Sequence, residues 1–349
     1  MRRGWVIIAV LVSLAFSGMA PNTNRDPKAF KLTGLAQGTN YHITYYAADS
    51  LVSKQNVTDL LNEIDSSMSI YKSYSLINKF NNSASGVEMD KHMSKVVKRS
   101  LEIYTQSDGV FDITIYPIVD AWGFGNKKTN HLPDAEAVKS LMPCVGSDKL
   151  LIKGKQLLKS NPCTKVDVNG IAQGYSVDLL AELLEHKGIT NYLVELGGEI
   201  RVRGRKYPGN ELMKIGIERP SDDPSKESLQ KILRMENGAI TTSGNYRKFI
   251  QNGKKKLSHL MDASTGYPLD NEVISVTVRA KDAMTADGYD NVLIGLGVDK
   301  GMKFLKQHPE LEAYFIYLKE DGSVRDTASR NFFKESQEPR TKSQDLFPH

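Results

Sequence analysis

The stretch VDVNGIAQGYSVD, residues 166–178, predicts the end of a strand, a glycine-containing turn and the start of a helix. Backbone N–H groups at the start of a helix attract phosphate, and Gly170 and Gly174 carry no side chain that would keep a ligand away. Asp167, just before the turn, could bind a cation or a donor group on a ligand. The spacing matches neither a P-loop nor a dinucleotide-binding fingerprint, so an ordinary strand-to-helix turn is the alternative.

Helices and hairpins alternate on both sides of this stretch. Apolar residues at helical spacing predict helices, and tight turns or alternating patterns predict strands. The predicted helices cover residues 56–68, 91–108, 171–187 and 283–296, and the predicted strands lie within 111–119, 149–160, 192–204, 246–261, 273–280 and 312–318. Because several strands connect through tight turns, the pattern favours an α+β fold with a largely antiparallel sheet over a doubly wound parallel sheet.

The first twenty residues have the layout of a secretory signal peptide. Two arginines precede an apolar run at residues 5–16, and small residues follow up to a cleavage site at Ala20. The run is too short for a comfortable membrane span, and an uncleaved anchor is the alternative. Residues 21–30 are predicted to form a polar leader and residues 330–349 a flexible tail. The folded part is therefore expected to be exported.

The composition is that of a soluble globular protein, with 40% hydrophobic and 25% charged residues among 349. The 46 lysines and arginines exceed the 41 acids by five, which gives a formal net charge of +5. The lysines are scattered along the chain and form no concentrated basic face. Binding of nucleic acid is therefore not expected.

Cys144 and Cys163 are the only cysteines. They flank the segment KLLIKGKQLLKS, which predicts a hairpin turning at residues 153–155. Such a hairpin would bring the two sulfurs together at its base, and an exported pair can form a disulfide. We predict the disulfide, with two buried thiols as the alternative. Two cysteines alone make no zinc site.

The segment MTADGYDN, residues 284–291, is the first acidic candidate site. In a helix, Asp287, Asp290 and Asn291 lie at positions i, i+3 and i+4 and share one face. Two carboxylates on one face repel each other unless a cation lies between them. Oxygen ligands of this kind suit Mg²⁺ or Ca²⁺. The alternative is a solvated acidic face.

Two further stretches contain candidate functional side chains. His259, in SHLMDASTGYP, follows a hairpin strand and could act as acid, base or phosphate ligand, or could simply be packed. Asp112 interrupts the apolar run of GVFDITIYPIVDAWGFG, and a buried carboxylate is costly unless it is paired or hydrogen-bonded. The aromatic residues of that run belong either to a ligand site or to the core.

Taken together and in this order, these stretches resemble the ApbE family of FAD:protein FMN transferases. The resemblance runs from residue 34 to about residue 317 and defines a catalytic domain at 31–329. It rests on six motifs: FDITIYPIVDAWGFG, VDVNGIAQGYSVD, LGGEIRVRG, TTSGNYRKF, HLMDASTGYP and TADGYDNVLIGLG.

The resemblance implies a fold, a reaction and a location. The fold would consist of two packed mixed α+β subdomains. The family splits FAD with the help of Mg²⁺, joins FMN through its phosphate to a threonine or serine of a target protein, and releases AMP. Its targets include membrane and exported redox subunits. The family works in the periplasm or at the outer face of the cytoplasmic membrane, which agrees with the predicted signal peptide.

The resemblance also assigns roles to twelve residues. The FAD-binding positions are Gln37, Tyr71, Val110, Phe111, Asp112, Asp167 and Gln173. The metal-binding positions are Gly170, through its backbone carbonyl, with Asp287, Asp290 and Asn291, and His259 matches the histidine implicated in transfer. The chain departs from the family pattern at four of them: Gln37 replaces the usual Met, Gln173 a Lys or Glu, Asp290 a small residue and Asn291 a Thr.

Two other functions remain open at this point. Water could replace the target hydroxyl, which would make the protein an FAD pyrophosphatase that releases FMN and AMP. A flavin-binding protein without catalysis is a second alternative, although simple storage of flavin needs no metal.

Overall fold

The computed structural model describes residues 26–126, 131–220, 229–244, 249–252 and 255–334. The predicted signal peptide lies outside the described residues. So do residues 21–25 of the predicted leader, residues 253–254 at the turn of a predicted hairpin, and residues 335–349 of the predicted tail.

An antiparallel sheet of eight strands forms the centre of the fold. In chain order the strands are β1 (Lys28–Ala36), β2 (Thr39–Ala47), β3 (Gly86–Glu88), β4 (Leu150–Lys153), β5 (Gln156–Lys159), β6 (Tyr192–Leu196), β7 (Glu199–Arg203), β8 (Met213–Glu218), β9 (Leu229–Met235), β10 (Asn237–Gly244), β11 (Phe249–Asn252), β12 (Lys255–Ser258), β13 (Met261–Asp262), β14 (Tyr267–Pro268), β15 (Val273–Ala280), β16 (Glu312–Leu318) and β17 (Val324–Ala328). The order across the central sheet is β1-β2-β6-β7-β10-β15-β16-β17, and every neighbouring pair is antiparallel. The α+β fold with a largely antiparallel sheet is therefore confirmed.

The predicted helices are present, and polar side chains mark where most of them begin. Ser53, Asp90 and Asp282 each accept a backbone N–H of the first turn that follows them, as expected of helix N-caps. The last helix runs beyond the predicted residue 296 and is kinked at Gly297 (φ 75°). The helices are α1 (Lys54–Met68), α2 (Leu76–Asn82), α3 (Lys91–Gln106), α4 (Tyr116–Ala121), α5 (Ala135–Leu141), α6 (Asn169–His186) and α7 (Ala283–Gln307).

Helices α1, α2, α3, α6 and α7 share one large core with the main sheet. Helices α6 and α7 pack against each other and against β7, and α1 and α3 add to the same large core. The ribbon of β8 and β9 forms a second core with the main sheet, completed by Phe332. A small third core joins Ile118, Trp122 and Val138 beside the β13–β14 hairpin. Within the described ranges, no helix is long and apolar enough to cross a membrane.

The strand predicted at residues 111–119 is wrong. The Asp112 carboxylate accepts hydrogen bonds from the backbone N–H (2.8 Å) and the hydroxyl (2.6 Å) of Thr114. Local side-chain bonds of this kind compete with a strand ladder. Pro117 then stands in the first turn of α4, where its fixed φ suits a helix and its missing N–H is no loss. A turn and a short helix therefore replace the strand.

The disulfide between Cys144 and Cys163 is confirmed. The predicted hairpin between the two cysteines is formed by β4 and β5. The Thr164 hydroxyl also donates to the carbonyl oxygen of Cys144 at 2.9 Å. The disulfide therefore closes the base of the hairpin, next to the segment that leads into α6.

The sheet and core extend into both predicted terminal segments. Lys28, Ala29 and Phe30 belong to β1, although the sequence placed them in the leader. At the other end, Phe332 is fully buried and stacks on Tyr314 with ring centroids 5.8 Å apart.

Candidate functional site

A cavity of about 660 Å³ opens beside the amino-terminal end of α6. A volume of this size is ordinary for a small-molecule site. All twelve residues to which the sequence assigned roles line this one cavity: Gln37, Tyr71, Val110, Phe111, Asp112, Asp167, Gly170, Gln173, His259, Asp287, Asp290 and Asn291. They come from segments up to 254 residues apart in the chain, so the fold brings them together.

The start of α6 faces this cavity through Asn169 and Gly170. The N-cap residue is Val168, whose side chain makes no capping hydrogen bond. Asp167 instead accepts the backbone N–H of Asn169 at 2.8 Å. The N–H of Ile171 is also engaged, by the carbonyl oxygen of Val168 at 3.0 Å. What the start of α6 offers an anion is the positive end of its helix dipole, and the phosphate site stays a prediction.

Helices α6 and α7 meet at three contacts spaced four residues apart in each helix. The backbone N–H of Gly174 donates to Asp287 Oδ2 at 2.8 Å. One turn toward the start of α6, the carbonyl oxygen of Gly170 accepts from Asn291 Nδ2 at 3.2 Å. One turn in the other direction, Asp178 Oδ1 accepts the backbone N–H of Ala283 at 2.9 Å. We call these three contacts the interhelical ladder.

The middle contact of the ladder depends on Gly174. A Cβ atom at this position would lie 2.3 Å from the carbonyl oxygen of Ala283 and 2.7 Å from the Cβ of Asp287. Only glycine allows the two helices to approach this closely. The sequence predicted that the missing side chain of Gly174 leaves room for a ligand. In the structure, helix α7 occupies that room.

Asp287 and Asp290 are both buried, with 5% and 1% of their surfaces exposed. Burial, with a smaller contribution from the charge of Asp178, raises the pKa of Asp287 to about 7 against the opposing effect of the Gly174 N–H. Burial also raises the pKa of Asp290 well above its ordinary value, and repulsion from Asp287 adds to the rise. A cation between the two carboxylates would relieve both effects.

The oxygen atoms around Asn291 fit such a cation. Asn291 Nδ2 lies 3.2 Å from the Gly170 carbonyl, 3.0 Å from the Asp287 carbonyl and 2.9 Å from Asp290 Oδ1. Three oxygens thus surround this amide nitrogen, and oxygen donors suit a hard ion such as Mg²⁺. Among the described residues, no three His, Cys, Asp or Glu side chains form a ready-made metal cluster.

The Asp112 carboxylate is fully engaged in hydrogen bonds within the protein. Besides Thr114, it accepts the Ser147 hydroxyl at 2.6 Å and the Ser147 N–H at 3.1 Å. The expected cost of burying this acid is thus offset by hydrogen bonds. Asp112 ties the neighbouring Phe111 to the segment next to the disulfide. Phe111 in turn lies against Gly170, since a Cβ there would be 3.5 Å from its ring.

The rim of the cavity carries three of the predicted residues. Tyr71 is 64% exposed, and burial of its hydroxyl raises its pKa. Gln37 occupies the two-residue turn between β1 and β2, has a φ of 50°, and hydrogen-bonds to Asp65. His259 packs edge-on against Phe124 with ring centroids 6.3 Å apart. The ring face of Tyr71 is thus available to a flat ligand.

The sequence analysis missed three charged residues of this region. Glu199 lines the cavity behind Asp290, and its charge contributes to the raised pKa of Asp290. Lys300 is the only lysine or arginine among the described lining residues, which include eight carboxylates. Asp178 lies behind the cavity at the end of the ladder. Two of these residues could have been found from the sequence, because they lie inside motifs quoted above. Glu199 directly follows the Gly-Gly pair of LGGEIRVRG, and Asp178 lies four residues after Gly174 in VDVNGIAQGYSVD.

The fold and the site define a class of protein. It is an α+β protein in which the start of one helix and a buried pair of carboxylates line a single acidic cavity. The chain belongs to the ApbE family, whose model matches residues 37–315.

Relatives of known sequence and structure agree with this assignment. The FAD:protein FMN transferase of Vibrio cholerae is 34% identical over 92% of this chain and 97% of its own length. That of Haemophilus influenzae is 31% identical over 96% of this chain and 98% of its own. The solved structure of the flavin transferase ApbE from Vibrio cholerae superposes with a TM-score of 0.80 at 33% identity, covering 88% of this chain and 98% of that one. The apo form of the Pseudomonas stutzeri flavinyl transferase ApbE gives a TM-score of 0.79 at 29% identity, covering 88% of this chain and 97% of that one.

Proposed function

We propose that this chain transfers FMN from FAD to a threonine or serine hydroxyl of a target protein and releases AMP. The observation that carries the proposal is the convergence of all twelve candidate residues on one cavity. The named relatives, which share this fold over most of their length, carry out FMN transfer from FAD to protein. The proposed reaction is a phosphoryl transfer, for which positioning and charge neutralisation supply most of the catalysis.

The charges of the cavity explain why the reaction would need a cation. Eight carboxylates and one lysine line it, among the residues described, and FAD brings a negatively charged pyrophosphate. Asp287, Asp290, Asn291 and the carbonyl of Gly170 would hold Mg²⁺, which would neutralise pyrophosphate oxygens and the charge that develops on AMP. Because the same residues are buried and repel each other, they are poorly suited to bind FAD without it.

The remaining residues position the reactants. The positive end of the α6 dipole attracts the phosphate that stays with FMN, and Tyr71 offers a ring for stacking. The acceptor oxygen attacks the FMN phosphorus; a new P–O bond forms while the P–O bond to the AMP phosphate breaks. A ring nitrogen of His259 takes the hydroxyl proton. Asp112 acts indirectly, because its hydrogen bonds fix Phe111 against Gly170.

The same proposal includes export and an extracytoplasmic target. Residues 1–20 have the pattern of a signal peptide, and the Cys144–Cys163 disulfide suits an oxidising compartment. The target would be an exported or membrane redox subunit that exposes a threonine or serine. We expect envelope-purified protein to begin near Pro21 on amino-terminal sequencing. Recovery of the full chain from the cytoplasm would contradict export.

One experiment distinguishes transfer from the two alternatives. The protein is incubated with FAD, Mg²⁺ and a threonine-bearing target, and the products are analysed by mass spectrometry. Covalent FMN on the target supports transfer. Free FMN without labelled target would instead indicate hydrolysis, and intact FAD would indicate binding alone.

The metal is tested in the same assay. Asp287→Asn should require much more Mg²⁺ and lose activity by orders of magnitude, because ~1.4 kcal/mol of lost transition-state stabilisation is tenfold in rate. Asp290→Ala should show a milder loss. Asp299→Asn, an exposed acid on the same helix, is the control and should behave as wild type. An unchanged Mg²⁺ dependence in Asp287→Asn would remove this cluster from the metal site.

A further inference from the structure

The last contact of the interhelical ladder lies outside the cavity. Asp178 is 4% exposed and does not line the cavity. Its Oδ1 accepts the backbone N–H of Ala283, and its Oδ2 accepts that of Met284, both at 2.9 Å. A side chain of α6 therefore holds the first two N–H groups of α7.

Ordinary helix capping does not explain this arrangement. Helix α7 already has an N-cap, because the Asp282 carboxylate accepts the N–H of Thr285 at 2.8 Å. A second buried carboxylate beside Asp282 adds repulsion between like charges. What Asp178 supplies, and Asp282 cannot, is a link between α7 and α6.

Arg201 of β7 holds Asp178 in place. Its Nη1 lies 2.7 Å from Asp178 Oδ1, and its Nη2 lies 3.9 Å from Glu185 Oε1. Glu185 is fixed in turn by the Tyr192 hydroxyl at 2.6 Å. The planar guanidinium is thus anchored by Glu185 on its other side, and it fixes the direction of the Asp178 carboxylate.

We propose that Asp178 and Arg201 are positioning residues for FMN transfer: they set the axial position of α7 so that Asp287 and Asn291 face Gly174 and Gly170. The inference rests on the proposed function, since it assigns a purpose to the acidic cluster. Asp287 follows Ala283 by one turn, and Asn291 follows Asp287 by another. A shift of the first turn of α7 therefore moves both cation-facing residues together. Outer partners of this kind typically change metal affinity by about 10- to 100-fold.

The test compares metal affinity with stability. Binding of Mn²⁺, as a paramagnetic substitute for Mg²⁺, is measured by electron paramagnetic resonance in the FAD-loaded protein, alongside the thermal midpoint. We expect Asp178→Asn to weaken binding on the order of 10-fold or more, and high Mg²⁺ to restore FMN transfer. Arg201→Lys keeps the charge but loses the planar fork, and should weaken binding in the same direction.

The control is another capping aspartate, one that does not line the cavity. Asp90 caps α3 by accepting the Met93 N–H and the Ser67 hydroxyl, both at 2.8 Å. Asp90→Asn should lower the thermal midpoint and leave the metal affinity unchanged. The positioning role would be overturned if Asp90→Asn weakened Mn²⁺ binding as much as the other two variants do. It would also be overturned if a folded Arg201→Lys or Asp178→Asn protein bound Mn²⁺ with wild-type affinity. Absence of divalent-cation binding in the wild type would overturn the proposed metal-dependent function as well.

Discussion

Replacing Gly174 by alanine inserts one methyl group between α6 and α7 at the middle of the interhelical ladder. The new Cβ would lie 2.3 Å from the Ala283 carbonyl oxygen, whereas ordinary contact begins near 3.4 Å. Because the neighbouring atoms are backbone, they cannot rotate away. The helices would have to separate by about 1 Å at this point.

Two effects on stability oppose each other in this variant. Overpacking of a close contact lowers the free energy of unfolding by roughly 1–3 kcal/mol, and the higher helix propensity of alanine raises it by about 1 kcal/mol. We expect a net loss of up to about 2 kcal/mol. The effect on FMN transfer should be larger, on the order of 100-fold, because a misplacement near 1 Å moves Asp287 away from the reacting phosphate.

Stability is measured by urea denaturation and transfer by covalent FMN on the target. Gly209→Ala is the control, since its Cβ would meet nothing closer than 3.6 Å and its φ is not positive. That variant should match wild type in both assays. Wild-type stability together with wild-type transfer in Gly174→Ala would refute the close approach of the two helices.

Three further predictions concern other parts of the protein. The double variant Cys144→Ser/Cys163→Ser should lose about 2–4 kcal/mol of unfolding free energy in urea, and reduction of the wild type should lower it similarly; unchanged stability would contradict a structural role. His259→Ala should lower turnover strongly while FAD binding, measured by fluorescence, survives; lost FAD binding with normal turnover at saturation would place His259 in the binding site instead. In metal-free protein, Asp287 keeps its proton up to about pH 7 in the folded state but only up to about pH 3.8 in the unfolded state. Because the folded state binds more protons between these values, the free energy of unfolding should fall as the pH rises through this range. Asp287→Asn should flatten this slope in thermal midpoints measured across pH, and an equally steep slope would argue against the assignment.

The sequence predicted the elements whose signals are local. The apolar spacing of α1 and α3 and the apolar run of β15 require only neighbouring residues, and these elements formed as expected. The strand predicted at residues 111–119 does not form, because the Asp112 carboxylate accepts the backbone N–H of Thr114 two residues later. Its strand-like pattern was thus overridden by a polar side chain and by Pro117.

The candidate site was predicted as a set of residues, but its geometry was not. The resemblance to a family identified twelve of the residues that line the cavity, because it assigns roles to positions along the chain. The link from Asp178 to Ala283 spans 105 residues, and that from Asp112 to Ser147 spans 35. Hydrogen bonds over such separations depend on how the helices and loops pack. For that reason the sequence gave Asp178 no role and did not show the hydrogen bonds of Asp112.

The spacing of the interhelical ladder restricts how this chain can change by insertion or deletion. Removing one residue between Gly170 and Asp178 would turn the rest of α6 by about 100° relative to its start. At least one contact with α7 would then point away from its partner, and no single substitution could restore it. A surface loop tolerates such a change in length, whereas here the register of residues along α6 must match the register along α7. Variation in this part of the protein is therefore expected by substitution, at matched positions of both helices, and not by change of length.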